Sequence, residues 1–262
     1  MVAVTGDPAR RRRPARRPPD WSTVPARGSR VLVTGAAGGL GRALSSALAE
    51  VGAEVVGIDR PGTEATVTAD LTDDDAAHRA VADAVGRLGG LDALIGAAGV
   101  VDTIHRAESF PLKEFRGDIE VNLVAQFTVA QAAFPALREG RRPSIVLFSS
   151  VAAETGLPGQ AAYAAAKAGV LGLTRSLAAE WGGAGIRVNA VVPGLVATPK
   201  VLGMPAAVRD RLLAGVPMRR VASLAEVVGP VLYLLSPAAG YMTGQALRLD
   251  GGAELGQVGL HH

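Results

Sequence analysis

Val31-Leu32-Val33-Thr34-Gly35-Ala36-Ala37-Gly38-Gly39-Leu40-Gly41 joins a short apolar run to a glycine-rich turn that opens at once into a helical pattern. A diphosphate is bound where a buried strand ends, where glycines let backbone N–H groups approach the anion, and where a helix N-terminus points its positive end at it. All three parts stand here in order. Leu44, Ala47, Leu48 and Val51 recur at helical spacing, and a second apolar run, Glu54-Val55-Val56-Gly57-Ile58, ends in Asp59. A carboxylate at that strand end suits a ribose 2′-hydroxyl. A glycine turn alone also arises from tight packing. The strand, turn, helix, second strand and terminal acid together make this one a dinucleotide cradle.

With 262 residues, 48% hydrophobic and 4% aromatic content and 33 glycines, the chain can bury the core of one large α/β domain. It has no cysteine, so disulfides, thiolate catalysis and cysteine metal sites are excluded, which fits a cytoplasmic protein. No metal site is expected. The sequence pI near 9.7 suggests nucleic acid until the charge is located. Residues 1–30 carry eight basic and two acidic residues, leaving residues 31–262 with 19 basic and 22 acidic. The basic excess lies in Arg10–Arg13, Arg16 and Arg17 among prolines, a composition that cannot bury a core. Residues 1–28 therefore read as a disordered basic arm and residues 29–262 as one catalytic domain. The arm lacks the apolar segment of a secretory signal, and no stretch approaches a transmembrane span.

Thr66-Val67-Thr68-Ala69 reads as a third strand closing on Asp70 and Leu71, reached by a link too short for the usual crossover helix. Residues 73–88 form a helix pattern that starts on acids, and Leu91–Ile95 a buried strand that turns out through Gly96-Ala97-Ala98-Gly99. A long helical pattern from Leu112 to Leu137 holds Asn122 among apolar neighbours. Ser144–Phe148 is the next strand, followed by Ser149-Ser150, and a small-residue helix runs from Gln160 through Trp181. Tyr163 and Lys167 share one face of that helix, and Ser150 lies at the carboxyl end of the preceding strand, where open α/β sheets bind their ligands. An ammonium near a phenol stabilises its anion, so a lowered Tyr163 pKa is expected.

Ser150 followed by Tyr163-x-x-x-Lys167 resembles the active-site spacing of the short-chain dehydrogenase/reductase family, and Asn122 stands where that family places its fourth catalytic residue. Asp70 resembles its acid beside the adenine, Gly185–Ala190 its next-to-last strand, Pro193-Gly194 with Val196 and Thr198 its nicotinamide-side loop, and Thr243–Gly252 its closing segment. The likeness covers residues 30 to about 252. Gly96 and Ala97 depart from it, because most members carry two asparagines there whose amides brace the sheet near the adenine. The short second link resembles certain bacterial hydroxysteroid and dihydrodiol dehydrogenases.

The resemblance implies a doubly wound, mostly parallel seven-stranded sheet assembled as a homotetramer or homodimer. It also implies hydride exchange between a nicotinamide cofactor and a secondary alcohol or ketone. Tyr163 would move the hydroxyl proton, Ser150 orient the oxygen, Lys167 lower the tyrosine pKa and bind the ribose, and Asn122 hold a relaying water. Cofactor contacts are expected from Gly35, Gly38, Gly39, Leu40, Gly41, Asp59, Arg60, Asp70, Leu71, Ala97, Ala98, Gly99, Tyr163, Lys167, Pro193, Gly194, Val196 and Thr198. Residues 195–220 resemble a mobile substrate lid whose apolar content favours a largely apolar, hydroxysteroid-like or secondary-metabolite alcohol; a cyclic diol is the alternative substrate. Asp59 faces the 2′-position with negative charge, so NAD is the expected cofactor. A nucleotide-sensing regulator is the competing class, and the complete Ser150, Tyr163 and Lys167 set argues against it. A nucleic-acid partner would rest on the arm alone, because the body offers no continuing basic surface.

Overall fold

A computed structural model of the chain describes Asp20 and residues 22–255. Seven strands form one parallel sheet: β1 (Arg30–Thr34), β2 (Glu54–Asp59), β3 (Val67–Thr68), β4 (Ala93–Gly96), β5 (Ser144–Phe148), β6 (Arg187–Pro193) and β7 (Ala246–Leu249). Their spatial order is β3-β2-β1-β4-β5-β6-β7. The chain therefore reverses its direction of travel across the sheet between β1 and β4, and the crevice at such a reversal is where ligands of doubly wound sheets bind. The central strands are apolar and buried on both faces, as a sheet covered on both sides requires.

Helices cover the two faces. On one side α2 (Asp74–Leu88), α4 (Ala125–Arg138) and α6 (Ala161–Trp181) pack over Leu32, Leu94, Ile145, Leu147 and Val188. On the other, α1 (Gly39–Glu50) and α9 (Leu224–Leu235) enclose Val31, Val33, Ile95, Val146 and Val191. The short link between β2 and β3 is a crossover without a helix, and β3 keeps only two residues in the ladder. Helix ends carry local signals: Asp73 accepts a bond from the Ala76 N–H at 2.8 Å to start α2, and Ser223 with Glu226 forms a reciprocal capping box on α9.

The helix expected from Leu112 to Leu137 is interrupted. It runs as α3 (Leu112–Ile119), a π turn over Glu120–Val124, then α4. Asn122 supplies the reason. Its side-chain Nδ2 donates to the Asp118 carbonyl at 3.0 Å, the acceptor that the Asn122 backbone N–H would use in an α-helix. A side chain inserted into the ladder widens the turn, as π bulges do.

The arm expected over residues 1–28 lies largely outside the described residues, but its end is seated on the body. Val24 packs against the α1–α9 core, the Ser22 carbonyl accepts from the Ala238 N–H at 3.1 Å, and the Gly28 N–H donates to the Gly52 carbonyl at 2.7 Å. Apolar Val24 and buried Pro25 give this short stretch something to bury, which the arginine-rich part lacks.

At the edge of the sheet opposite the strands' carboxyl ends, buried Asp92 is the polar anchor. It accepts from the Arg30 backbone N–H at 3.0 Å, the Arg30 guanidinium at 2.7 and 3.1 Å, and the Arg141 N–H at 2.7 Å. Burial alone would raise its carboxyl, but the bonds from Arg30 and Arg141 outweigh that and hold it well below the usual range. A carboxyl whose folded pKa is depressed contributes stability that is complete above its unfolded value, near 3.9, and is lost as pH falls toward the folded value. Asp92→Asn should therefore destabilise the protein by roughly 2–4 kcal/mol at pH 7, and the gap to wild type should shrink below about pH 4. Urea denaturation at pH 7 and pH 3 measures both.

Candidate active site

The carboxyl ends of β1, β2, β3 and β4 open on one groove of about 810 Å³. Gly35, Gly38, Gly39, Asp59, Arg60, Asp70, Leu71, Ala97, Ala98, Gly99 and Thr198 all line it. Gly35 adopts φ +68°, and a Cβ there would stand 2.8 Å from the Cα and N of Ala98, so only glycine permits this approach of the two strand-end loops. Asp59 is held at the end of β2 by two backbone donors, the Ala37 N–H at 2.8 Å and the Arg60 N–H at 2.7 Å. Asp70 is turned to its own loop instead: the Thr72 hydroxyl donates to it at 2.7 Å and the Thr72 N–H at 3.0 Å, which lowers its carboxyl.

Seven of the expected contact residues do not line the groove: Tyr163 and Lys167, which stand beside it, and Leu40, Gly41, Pro193, Gly194 and Val196. Leu40 joins the apolar packing around α1 and α9, and Val196 is buried and bridges to Ala222. Gly41 is buried where a Cβ would run into the Gly35 carbonyl, so its small size serves the close packing of helix on turn. Pro193 and Gly194 end β6, with the Gly194 N–H donating to the Leu249 carbonyl at 3.0 Å.

Next to the groove, at the end of β5, Ser150, Tyr163 and Lys167 come together. Ser150 precedes α5 (Ala152–Thr155) and its Oγ accepts from the Ala152 N–H at 3.2 Å. Lys167 is 4% exposed; its Nζ donates to the Phe148 carbonyl at 3.0 Å and lies 5.7 Å from the centroid of the Tyr163 ring. Burial lowers the lysine to about 8. The expected lowering of Tyr163 is not found: burial dominates and holds the phenol above its usual value, against a weaker downward pull from the Ser150 hydroxyl. The ammonium is engaged with a backbone carbonyl, and that distance leaves desolvation in charge.

Asn122 is fully buried, and its side chain is committed to the backbone. Besides Asp118, it donates to the Val100 carbonyl at 3.0 Å and accepts from the Val100 N–H at 3.1 Å. Its Oδ1 and Lys167 Nζ both crowd the space a Cβ would take on Gly99, so a side chain at this groove residue would strike both. Both ends of the Asn122 side-chain amide thus serve the backbone at Val100 and Asp118.

Residues 195–220, the segment expected to act as a lid, contain α7 (Pro199–Leu202) and α8 (Ala206–Leu213). Pro199 Cδ sits 2.7 Å from where a Cβ of Gly39 would be, placing the start of the lid on the glycine turn. Lys200 then reaches across the groove, donating to the Val101 carbonyl at 2.6 Å and pairing with Asp102. No local signal announces this strap, because its partners are separated by about a hundred residues of sequence.

The buried lysine gives a pH signature. Between its folded value of about 8 and an unfolded value near 10.4, the unfolded chain binds a proton that the folded chain does not, so folding stability rises with pH across that window. Lys167→Met should abolish this rise, which amounts to roughly 2–4 kcal/mol in the wild type. Denaturation midpoints of the two proteins at pH 7, 8.5 and 10 test it.

A family model described as Enoyl-(Acyl carrier protein) reductase matches residues 35–254. The 3-oxoacyl-[acyl-carrier-protein] reductase FabG of Thermotoga maritima is 37% identical over 238 residues, covering 84% of this chain and 96% of that protein. Cis-4-hydroxycyclohexanecarboxylate dehydrogenase of Sinomonas cyclohexanicum is 35% identical, covering 84% and 94%. Of solved structures, levodione reductase superposes with a TM-score of 0.80 at 31% identity over 87% of this chain and 98% of that one. The structure of gox2181 superposes at 0.84 with 32% identity over 89% and 98%. Likeness of this extent, running from the glycine turn to beyond β7, makes the chain a member of the short-chain dehydrogenase/reductase family of oxidoreductases.

Proposed function

We propose that the protein interconverts a secondary alcohol and a ketone on a largely apolar substrate, with NAD as the hydride carrier. The observation that carries this reading is the meeting of Ser150, Tyr163 and buried Lys167 at the end of β5, against a groove whose Gly35 admits no side chain. The groove suits a dinucleotide in kind: glycine backbone at a helix N-terminus for the diphosphate, and a carboxylate at the end of β2 for the ribose. When bound there, the nicotinamide supplies the two-electron chemistry as a hydride donor or acceptor. The phenol, raised by burial, stands protonated at neutral pH and so donates to a carbonyl oxygen as a ketone is reduced. Ser150 orients that oxygen, and Lys167, with about 8 as its pKa, carries the positive charge that favours the phenolate in the reverse direction.

Two similar proteins act, by name, on six-membered carbocycles, a hydroxycyclohexanecarboxylate and levodione, which supports a cyclic secondary alcohol over an open-chain one. A second reading has a specific surface behind it. Exposed Leu202, Val208, Leu212 and Met218 share the lid with exposed Arg211 and Arg219, a rim suited to an acyl chain on an anionic carrier. Similar proteins include a 3-oxoacyl-[acyl-carrier-protein] reductase and an acetoacetyl-CoA reductase of Acinetobacter. Assembly as a homotetramer or homodimer is part of the same proposal, supported by the exposed small-residue stripe Ala161, Ala165, Ala168 and Gly172 on α6 and by half-exposed Phe127 on α4. Among the described residues no helix is long and apolar enough to cross a membrane.

The preference for NAD rests on charge. Asp59 is fixed by two N–H donors at the ribose end of the groove, and a 2′-phosphate there would meet its carboxylate. Ala36 and Ala37 bring no cation to the turn, and Arg42 is occupied by the Ala37 carbonyl at 2.7 Å. Arg60 also lines the groove and would hold a phosphate if the preference ran the other way.

Turnover on a panel of cyclic alcohols, ketones and a 3-oxoacyl thioester distinguishes the two substrate readings. On any accepted substrate, Tyr163→Phe should lower kcat by at least about a hundredfold with cofactor affinity retained, since it removes the proton donor and keeps the ring; a variant near wild type would sink the assignment. The ratio of kcat/KM for NAD to that for NADP should exceed one. Asp59→Ala should narrow it mainly by weakening NAD, and a wild-type enzyme faster with NADP would refute the cofactor reading.

A further inference from the structure

Asp118, Asn122 and Gln126 stand four residues apart along the α3–α4 helix, all buried, and each holds one point of the segment that leaves β4. Thr103 Oγ1 donates to the Asp118 carboxylate at 2.6 Å, Asn122 exchanges two bonds with the Val100 backbone, and Gln126 Nε2 donates to the Ala98 carbonyl at 2.5 Å. Ala98 is therefore gripped from both sides, because its N–H reaches Thr34 Oγ1 on β1 at 3.3 Å. It is also the residue whose backbone faces Gly35 across the groove, so any movement of Ala98 changes the width of the crevice directly. Gly96 explains how the glutamine gets in: a Cβ at that position would run into Gln126 Oε1. The amides absent from Gly96 and Ala97 are thus replaced by one delivered from α4.

We infer that Gln126 is a positioning residue for the cofactor, holding Ala97–Gly99 as the groove wall opposite the glycine turn through its bond to the Ala98 carbonyl. The inference rests on the proposed reading of the groove as a dinucleotide site. A glutamine that merely filled the core would affect stability and leave cofactor affinity alone. A 4% exposed amide whose donor ends on the one loop facing Gly35 acts on affinity.

Titration of the purified full-length protein with NADH and with NADPH, followed by fluorescence, separates the two. Gln126→Leu keeps the volume and removes the donor. Its Kd for the preferred cofactor should rise about tenfold, while kcat at saturating cofactor stays within about threefold of wild type. Gly96→Ala, which leaves the glutamine in place and pushes its amide aside, should reproduce the loss. Gln126→Glu keeps the shape but donates only when protonated, so its affinity, taken relative to wild type at the same pH to cancel the titration of Lys167, should be weak at pH 8 and recover toward pH 6. Wild-type affinity in folded Gln126→Leu overturns the inference. If that variant does not fold, a Gln126→Glu affinity equal to that of wild type at both pH 6 and pH 8 overturns it instead. Failure of the wild type to bind either cofactor is a different result, and overturns the functional reading beneath.

Discussion

Two strand-end loops meet at the switch point of the sheet with no room for a methyl group between them. Gly35, at φ +68°, lies against the backbone of Ala98, and that contact sets the width of the crevice at the ends of β1 and β4. β1 and β4 must be adjacent and parallel for the loops to face each other, and the pairing of Val31 with Ala93 through Thr34 with Gly96 provides this. Gly41 brings α1 down onto the same turn, and Pro199 closes over it from the lid. A side chain at position 35 would separate the walls, lift α1 from the turn and displace the strap formed by Lys200.

Apolar packing builds the sheet, while buried polar groups shape the site. The two core clusters are made of Val, Leu, Ile and Ala with little aromatic content, which lets the helices lie close over the strands. Against that background, Asn122, Gln126, Asp118 and Lys167 are buried polar side chains, and each has a named partner. Such groups are costly to bury unless bonded, so their satisfaction fixes the loops they bond to. Lys167 is the extreme case: desolvation displaces its pKa to about 8, and its ammonium is held by the Phe148 carbonyl.

Much of this was readable before any coordinates. The glycine turn, the alternation of strands and helices, Asp59 at a strand end and the spacing of Ser150, Tyr163 and Lys167 are local patterns, and local backbone preference with hydrophobic periodicity is enough to place them. The π turn was not readable, because the pattern from Leu112 to Leu137 is helical on both sides. What breaks it is one amide competing for the Asp118 carbonyl. The direction of the Tyr163 shift was read with the wrong sign, since adjacency of lysine and phenol on a helix says nothing of where the ammonium points or how deeply both are buried.

The sequence alone determined the fold class and the local patterns of the glycine turn, of Asp59 at a strand end and of Ser150, Tyr163 and Lys167, each encoded within a few neighbouring positions. Tertiary structure decided which side chains bond across from one element to another. Gln126 reaching Ala98 through the space of Gly96, Lys200 strapping the lid to Asp102, and Arg30 and Arg141 converging on Asp92 join residues that a linear pattern keeps apart. Periodicity reports which face of an element is buried, whereas a hydrogen bond between elements depends on their relative placement to a few tenths of an ångström, and only the packed sheet sets that.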